Sequence, residues 1–212
     1  MFLVFSGKKG AGKDTIAAEI IKKFPNIKFQ RIGLADYLKE ICINLYGLSR
    51  EVCFGIDKNV PTKYLWRDMP WYSSLQHKKF ANNYVTHREF LQYFGSEVCR
   101  AIDESCWVNY LISSCTDPNI IYIVTDCRFP SEIEPLNKAG AITIRLTRNV
   151  YNDNHQSETA LDGFAWTCNQ LLDNSNITIE QTTRLAIFQI NEQIKEKGLG
   201  YEKYLLQTMP TS

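Results

Sequence analysis

Gly7-Lys8-Lys9-Gly10-Ala11-Gly12-Lys13-Asp14-Thr15 has the residue types and spacing of a phosphate cup. Gly7, Gly10 and Gly12 let the backbone wrap until several N–H groups converge on one anion. A helix beginning at the end of this loop adds partial positive charge. Lys13 adds a full charge beside the β- and γ-phosphates of a nucleoside triphosphate. The next position usually holds a Ser or Thr whose hydroxyl meets magnesium. Here it is Asp14, with Thr15 after it. Either the Asp14 carboxylate meets Mg2+, directly or through water, or Thr15 supplies the hydroxyl one place later.

A second chemical group follows a run of apolar residues. Ile120 to Thr125 reads as a strand buried on both faces, and Asp126 comes next with Arg128 two places on. Ligands of parallel α/β sheets lie beyond the carboxyl ends of strands. Asp126 there can hold the magnesium shell, and Arg128 can reach a transferring phosphoryl group or the acceptor. Moving a phosphoryl group between two anions needs charge neutralisation more than proton chemistry. The sequence shows no convincing general base or nucleophile, which suits an acceptor that is itself a phosphate. Arg88, Arg100, Arg145 and Arg148 offer planar forks for phosphate oxygens. Trp66, Trp71, Tyr72, Tyr84 and Trp107 are candidates to stack on a base.

The elements that must position these groups alternate between strand and helix. Phe2–Phe5 predicts a strand, and Ile16, Ala17, Ile20, Ile21 and Phe24 recur at helical spacing after the loop. A second strand is expected over 27–32 and a second helix over 34–46. Residues 47–85 read as a mostly irregular insertion with short helical pieces. Thr86 and Glu89 have capping-box spacing, predicting a helix to about Asp103, with Arg88 in its first turn and Arg100 twelve residues on. A short helix is expected at 107–115, another from Pro130 to Ala139, and a strand at 141–146. Residues 148–163 read as a mobile, polar loop, able to close as a lid headed by Arg148. His155 and Glu158 within it read as lid-ordering groups. A last short strand is expected at 177–179, and a long amphipathic helix at 180–197. The pattern is α/β with a parallel sheet.

Composition sets the outer limits. The chain has 212 residues and a formal net charge of +1. One domain is the default at that length, and the charge argues against nucleic acid or a membrane surface as partner. Seven cysteines at scattered spacing make no disulfide or zinc framework, which fits a reducing cytoplasm. The apolar start at Phe2–Phe5 is too short for a signal or a membrane span.

Taken together, Gly7 to Thr15, Leu34-Ala-Asp-Tyr-Leu-Lys-Glu40, Arg88-Glu-Phe-Leu-Gln-Tyr-Phe-Gly95 with Glu97 and Arg100, Asp103, Trp107, Asp126-Cys-Arg128-Phe and His155-Gln-Ser-Glu158 form a set. With it the chain resembles the phage-type deoxynucleoside monophosphate kinases of the P-loop kinase superfamily. Animal-type phosphomevalonate kinase is a more distant likeness. The resemblance implies a P-loop kinase fold with a central parallel sheet of about five strands. It implies one domain over 1–212, with an acceptor-binding insertion near 47–110 and a lid near 148–163. It implies transfer of the ATP γ-phosphoryl group to a deoxynucleoside monophosphate, with Mg2+. By the motif match, Gly7, Lys8, Gly10, Ala11, Gly12, Lys13, Asp14 and Thr15 would hold ATP and magnesium. Asp36, Arg88, Phe94, Gly95, Arg100 and Trp107 would face the acceptor. Asp126, Arg128 and Arg148 would join Lys13 at the transfer point, with Asp126 beside the metal. A homodimer in the cytoplasm, a host cytoplasm if phage-encoded, is similar to relatives. Tyr37 departs from the family's usual proline. The rivals are a phosphomevalonate-type small-molecule kinase and a GTPase-like nucleotide-binding module, but no Asn-Lys-x-Asp or Asp-x-x-Gly switch motif is present.

Overall fold

The first strand, β1 (Phe2–Ser6), is buried at every position, as its unbroken apolar run demands. In a computed structural model that describes residues 1–74, 81–150 and 156–198, β1 lies between β5 (Ile121–Val124) and β6 (Ile142–Leu146). Phe2 pairs with Tyr122 on one side and Leu3 with Ile142 on the other, both parallel. β2 (Phe29–Arg31) adds outside β5 and β7 (Leu171–Leu172) outside β6, again parallel. The sheet order is β2-β5-β1-β6-β7, the five-stranded parallel sheet of a P-loop kinase fold.

Because side chains alternate along a strand, β1 and β5 each feed two cores. Leu3, Phe5, Ile123, Ile142 and Ile144 meet Ile16 and Ile20 of α1 (Lys13–Lys23) and Ile187, Ile190 and Ile194 of α8 (Ile179–Glu196). On the other face Phe2, Val4, Tyr122 and Val124 meet Val108, Leu111, Ile133, Leu136 and Leu161. Ile133 and Leu136 come from α6 (Pro130–Lys138), which starts at the predicted proline. Each such side chain contributes about 1.5–3 kcal/mol by leaving water. β7 is too short to pair with all of β6, and a side chain completes the ladder. Gln193 of α8 accepts from the Thr143 N–H at 3.1 Å and donates to its carbonyl at 3.0 Å.

Residues divide into two compact units, Met1–Leu34 with Val108–Ser212, and Ala35–Trp107. The second unit has its own aromatic core, with Trp66, Trp71, Phe90 and Trp107 buried. It holds α2 (Leu34–Tyr46, whose first residue counts with the other unit), α3 (Arg50–Phe54) and a hairpin of β3 (Pro61–Leu65) and β4 (Tyr84–Thr86). The short helical pieces expected there are present as α3 and, among the described residues, two 3-10 turns, and the paired strands β3 and β4 are what the expectation lacked. These strands are too short and too interrupted by Pro61 and bulges to show a period of two. The capping box at Thr86 and Glu89 is present and starts α4 (His87–Tyr93). The helix then widens into a π-helix at Phe94–Arg100 and continues to residue 102, close to the expected end at Asp103.

α5 (Cys106–Ser114) follows the expectation. The strand expected at 177–179 is absent: Thr178 caps α8 with a capping box to Gln181, so Ile179 opens the helix. Of the expected mobile loop, 151–155 lie outside the described residues, as do His155 and His77. Gln156–Thr159 form α7. No helix among the described residues is long and apolar enough to cross a membrane.

Candidate active site

The loop between β1 and α1 is shaped by positive φ at Gly7 (151°), Gly10 (78°) and Gly12 (99°). A Cβ at Gly7 would also sit 2.9 Å from the Leu146 carbonyl. Gly12 is the N-cap of α1 and offers no side chain, so the helix N-terminus is left for another anion to satisfy. Lys13 is 8% exposed. Its Nζ donates to the Gly7 carbonyl at 2.8 Å and the Lys8 carbonyl at 3.0 Å. Burial pushes its ammonium below the usual lysine range, and the positive charge of Arg128 adds to the effect.

The acidic strand end lies beside this loop. Thr125 Oγ1 donates to Asp14 Oδ1 at 2.9 Å, and Arg31, at the end of β2, pairs with the same oxygen. Asp126 Oδ1 accepts the Leu34 N–H at 3.1 Å. Glu132, buried in the first turn of α6, accepts the N–H groups of Arg128 at 2.6 Å and Phe129 at 3.1 Å. It thereby fixes the turn that carries Asp126 and Arg128. The Arg128 guanidinium pairs with Glu158. Cys127 between them is buried, and burial raises its thiol far above the reactive range. All seven cysteines are free.

Arg148 reaches the loop from the end of β6. Its guanidinium donates to the Gly10 carbonyl at 2.9 Å, while its buried Nε has no partner among the described residues. Asn174 ties the two together, donating to the Ala11 carbonyl at 2.8 Å and accepting the Arg148 N–H at 3.1 Å. Lys8 turns to Asp162 at 2.8 Å, and Arg145 reaches the same carboxylate at 3.2 Å. Arg145 also donates to Ser6 Oγ at 3.1 Å and lies over the Trp166 ring at 5.7 Å. Lys8, Arg145, Asp162 and Trp166 line a cavity of about 300 Å³.

The structure therefore gathers Gly7, Lys8, Gly10, Ala11, Gly12, Lys13, Asp14, Arg128 and Arg148 about one loop, with Asp126 next to the Thr125 contact. Thr15 is exposed on the first turn of α1. Among the described residues no cluster of three or more His, Cys, Asp or Glu could hold a metal alone. Mg2+ does not require one, since it keeps several waters and takes one or two carboxylates plus phosphate oxygens. The oxygen donors of Asp14, Thr15 and Asp126 fit that demand.

The acceptor candidates belong to the other unit. Tyr46, Tyr64, Met69, Pro70, Trp71, Phe90, Phe94 and Val98 line an apolar slot of about 160 Å³. Trp71 and Phe94 are among the expected acceptor residues, and Tyr46, Tyr64 and Phe90 join them. The spacing of Phe90 and Phe94, one α-turn apart, was the available signal. Tyr64 spends its hydroxyl on the Tyr46 carbonyl at 2.8 Å. Gly95 sits against Leu38, and its carbonyl accepts Trp107 Nε1 at 3.3 Å. Trp107 is thus a buried support of the π-helix, and Trp66 is buried core. Asp36 pairs with Lys39 at 2.7 Å. Arg88 is exposed at the start of α4, its Nε donating to Asn59 at 3.1 Å. Arg100 closes the π-helix.

Arg31 and Asn174 went unnoticed in the sequence. Arg31 ends a parallel strand, where the carboxyl-end rule could have flagged it. Nothing local marks Asn174.

No curated protein matches the chain. The deoxynucleotide monophosphate kinase family matches residues 61–184. That span exceeds half the chain and runs from β3 into α8, through both the aromatic slot and the Asp126–Arg128 strand end. The chain therefore belongs to the deoxynucleotide monophosphate kinase family.

Proposed function

We infer that this chain, like its family, acts as a kinase of deoxynucleotide monophosphates; neither the phosphomevalonate-type nor the GTPase-like alternative is favoured. We propose that ATP is the donor, that its phosphates lie in the Gly7–Thr15 loop, and that the acceptor base lies in the aromatic slot. The observation that carries this is Lys13. A buried ammonium, held by two loop carbonyls beside Arg128 and Arg145, is a cation set aside for a polyanion.

In this reading Lys13 and Arg128 neutralise the transferring phosphoryl group, and Arg148 closes on the phosphates from the lid, 148–163. Mg2+ fits Asp14, Thr15 and Asp126 as oxygen donors, and when bound it supplies charge neutralisation between the phosphates. The segment 47–110 carries the acceptor. Arg88 and Arg100 receive its phosphate, Asp36 faces its sugar side, and Phe94 with the Gly95 turn forms the slot wall. The apolar slot supports a base and not a phosphorylated alcohol, which needs no such surface. The acceptor oxygen is already anionic, so no general base is required of this chain. The lack of a membrane-crossing helix among the described residues fits action in the cytoplasm, and a homodimer is the assembly we propose.

An ADP-release assay over ribo- and deoxyribonucleoside monophosphates, with phosphomevalonate included, tests the reading. Turnover with deoxynucleoside monophosphates and Mg2+-ATP is expected. Turnover with phosphomevalonate alone would overturn the slot assignment.

A further inference from the structure

Among the described lid residues, Glu158 is the one whose carboxylate is buried against the transfer machinery itself. Oε2 accepts the Lys9 backbone N–H of the phosphate loop at 2.6 Å, and Oε1 pairs with the Arg128 guanidinium. A loop amide and an arginine at a parallel strand end are the donors that a terminal phosphate would need. Two carboxylate oxygens match the charge and spacing of one edge of that phosphate. Its negative charge also acts on the Lys13 ammonium. Four residues on, Asp162 pairs with Lys8 and Arg145. That second anchor lets Glu158 move without freeing the segment that carries it.

We propose that Glu158 is a positioning residue that stands in for the terminal phosphoryl group, holding Arg128 and the Lys9 amide in place and yielding both to the γ-phosphate when ATP enters. The proposal rests on the reading that the Gly7–Thr15 loop binds ATP. No bond is made or broken in the exchange; two hydrogen-bond donors pass from one anion to another. ADP lacks the phosphate that competes, so Glu158 discriminates between substrate and product. It weakens ATP binding and leaves ADP nearly untouched, while holding Arg128 in place until the phosphate takes it over.

The test is calorimetric binding of ADP and of a non-hydrolysable ATP analogue to wild type, Glu158→Gln and Glu158→Asp, with kcat and KM alongside. For Glu158→Gln the analogue is expected to bind about three- to tenfold tighter, the scale of one net hydrogen bond. ADP affinity is expected to stay within about twofold of wild type, well inside that scale. KM for ATP falls with the analogue's Kd while kcat changes little, because in the reacting complex Arg128 has already passed to the γ-phosphate. Unchanged or weaker analogue binding, or equal tightening for ADP, overturns the proposal and leaves Glu158 a structural tether. Glu158→Asp draws the carboxylate back by one methylene, so it must show the same analogue-specific gain at smaller size. If Glu158→Gln does not fold, its absence in Glu158→Asp overturns the proposal alone. Wild type that fails to bind the analogue at all would instead remove the reading of the loop.

Discussion

Asn174 holds the Ala11 carbonyl at 2.8 Å from a position 163 residues further along the chain. It is 4% exposed and uses its other amide atom on the Arg148 N–H. One side chain thus ties the phosphate loop to the base of the lid. Asn174→Ala leaves a buried carbonyl unpaired and is expected to cost about 1–3 kcal/mol. Thermal denaturation measures this, and the ATP KM should rise with it. Asn174→Asp keeps the acceptor but replaces the donor with a negative charge beside the phosphates. Its ATP KM should exceed that of the alanine variant.

Lys13 gives a prediction in pH. Its folded-state pKa lies below the ordinary 10.5 because burial penalises the charge. The native state therefore binds fewer protons than the unfolded state in the window below 10.5. Stability linked to this group is present above that window and is lost as pH falls through the lowered pKa. Wild type should gain stability relative to Lys13→Met as pH rises from 7 toward the lysine's unfolded pKa, read by thermal shift at each pH. Turnover of Lys13→Met should fall about a hundredfold or more at neutral pH, from loss of a charge in a low-dielectric site.

Gly95 and Leu38 should behave as a coupled pair. A Cβ on Gly95 would lie 2.8 Å from Leu38 Cδ2. Gly95→Ala is expected to cost about 1–3 kcal/mol by overpacking. Leu38→Ala opens that space, so the double variant should be less destabilised than the sum of the singles by about 0.5–3 kcal/mol. Urea denaturation of all four proteins closes the cycle; strict additivity would mean that the helix shifts and relieves the clash by itself.

The slot and the phosphate loop should separate kinetically. Val98→Phe fills space between Tyr46, Trp71 and Phe94. The deoxynucleotide KM should rise about tenfold, the scale of a steric mismatch in an apolar pocket, with the ATP KM unchanged. Arg88→Ala should likewise raise the acceptor KM more than the ATP KM. Equal effects on both substrates would place these residues elsewhere.

His87 anchors the acceptor unit by a fixed tautomer. Nδ1 meets the Val60 carbonyl at 2.8 Å, and Nε2 accepts the Ser49 N–H at 3.1 Å. A carbonyl only accepts and an amide only donates, so the proton sits on Nδ1. The Val60 carbonyl also accepts the His87 backbone N–H at 3.0 Å, so His87→Ala orphans only the Ser49 N–H and should cost about 1 kcal/mol from that lost bond, measurable by denaturant titration.

What the sequence made legible was whatever depends on local backbone demands. Gly7 and Gly12 are dictated by positive φ and close approach, and Lys13, Asp126 and Pro130 follow strand ends and helix starts. The β3–β4 hairpin was hidden because Pro61 and a bulged register erase alternation. The π-helix was hidden because a capping box fixes where a helix begins but not its later pitch. Asn174, Arg31 and the Glu158 contact depend on partners far away in the chain, and no spacing rule reaches that distance.

The wide turn at Phe94–Arg100 has an evolutionary consequence. A π-segment is an α-helix carrying a residue too many. Deleting one residue there would restore α pitch while the helix beyond keeps its facing, because the wide turn takes up the extra residue locally. The change would fall on the turn itself, where Phe94 and Val98 line the slot. A single-residue change of length is thus a route to a different slot wall, beside exchange of amino acids.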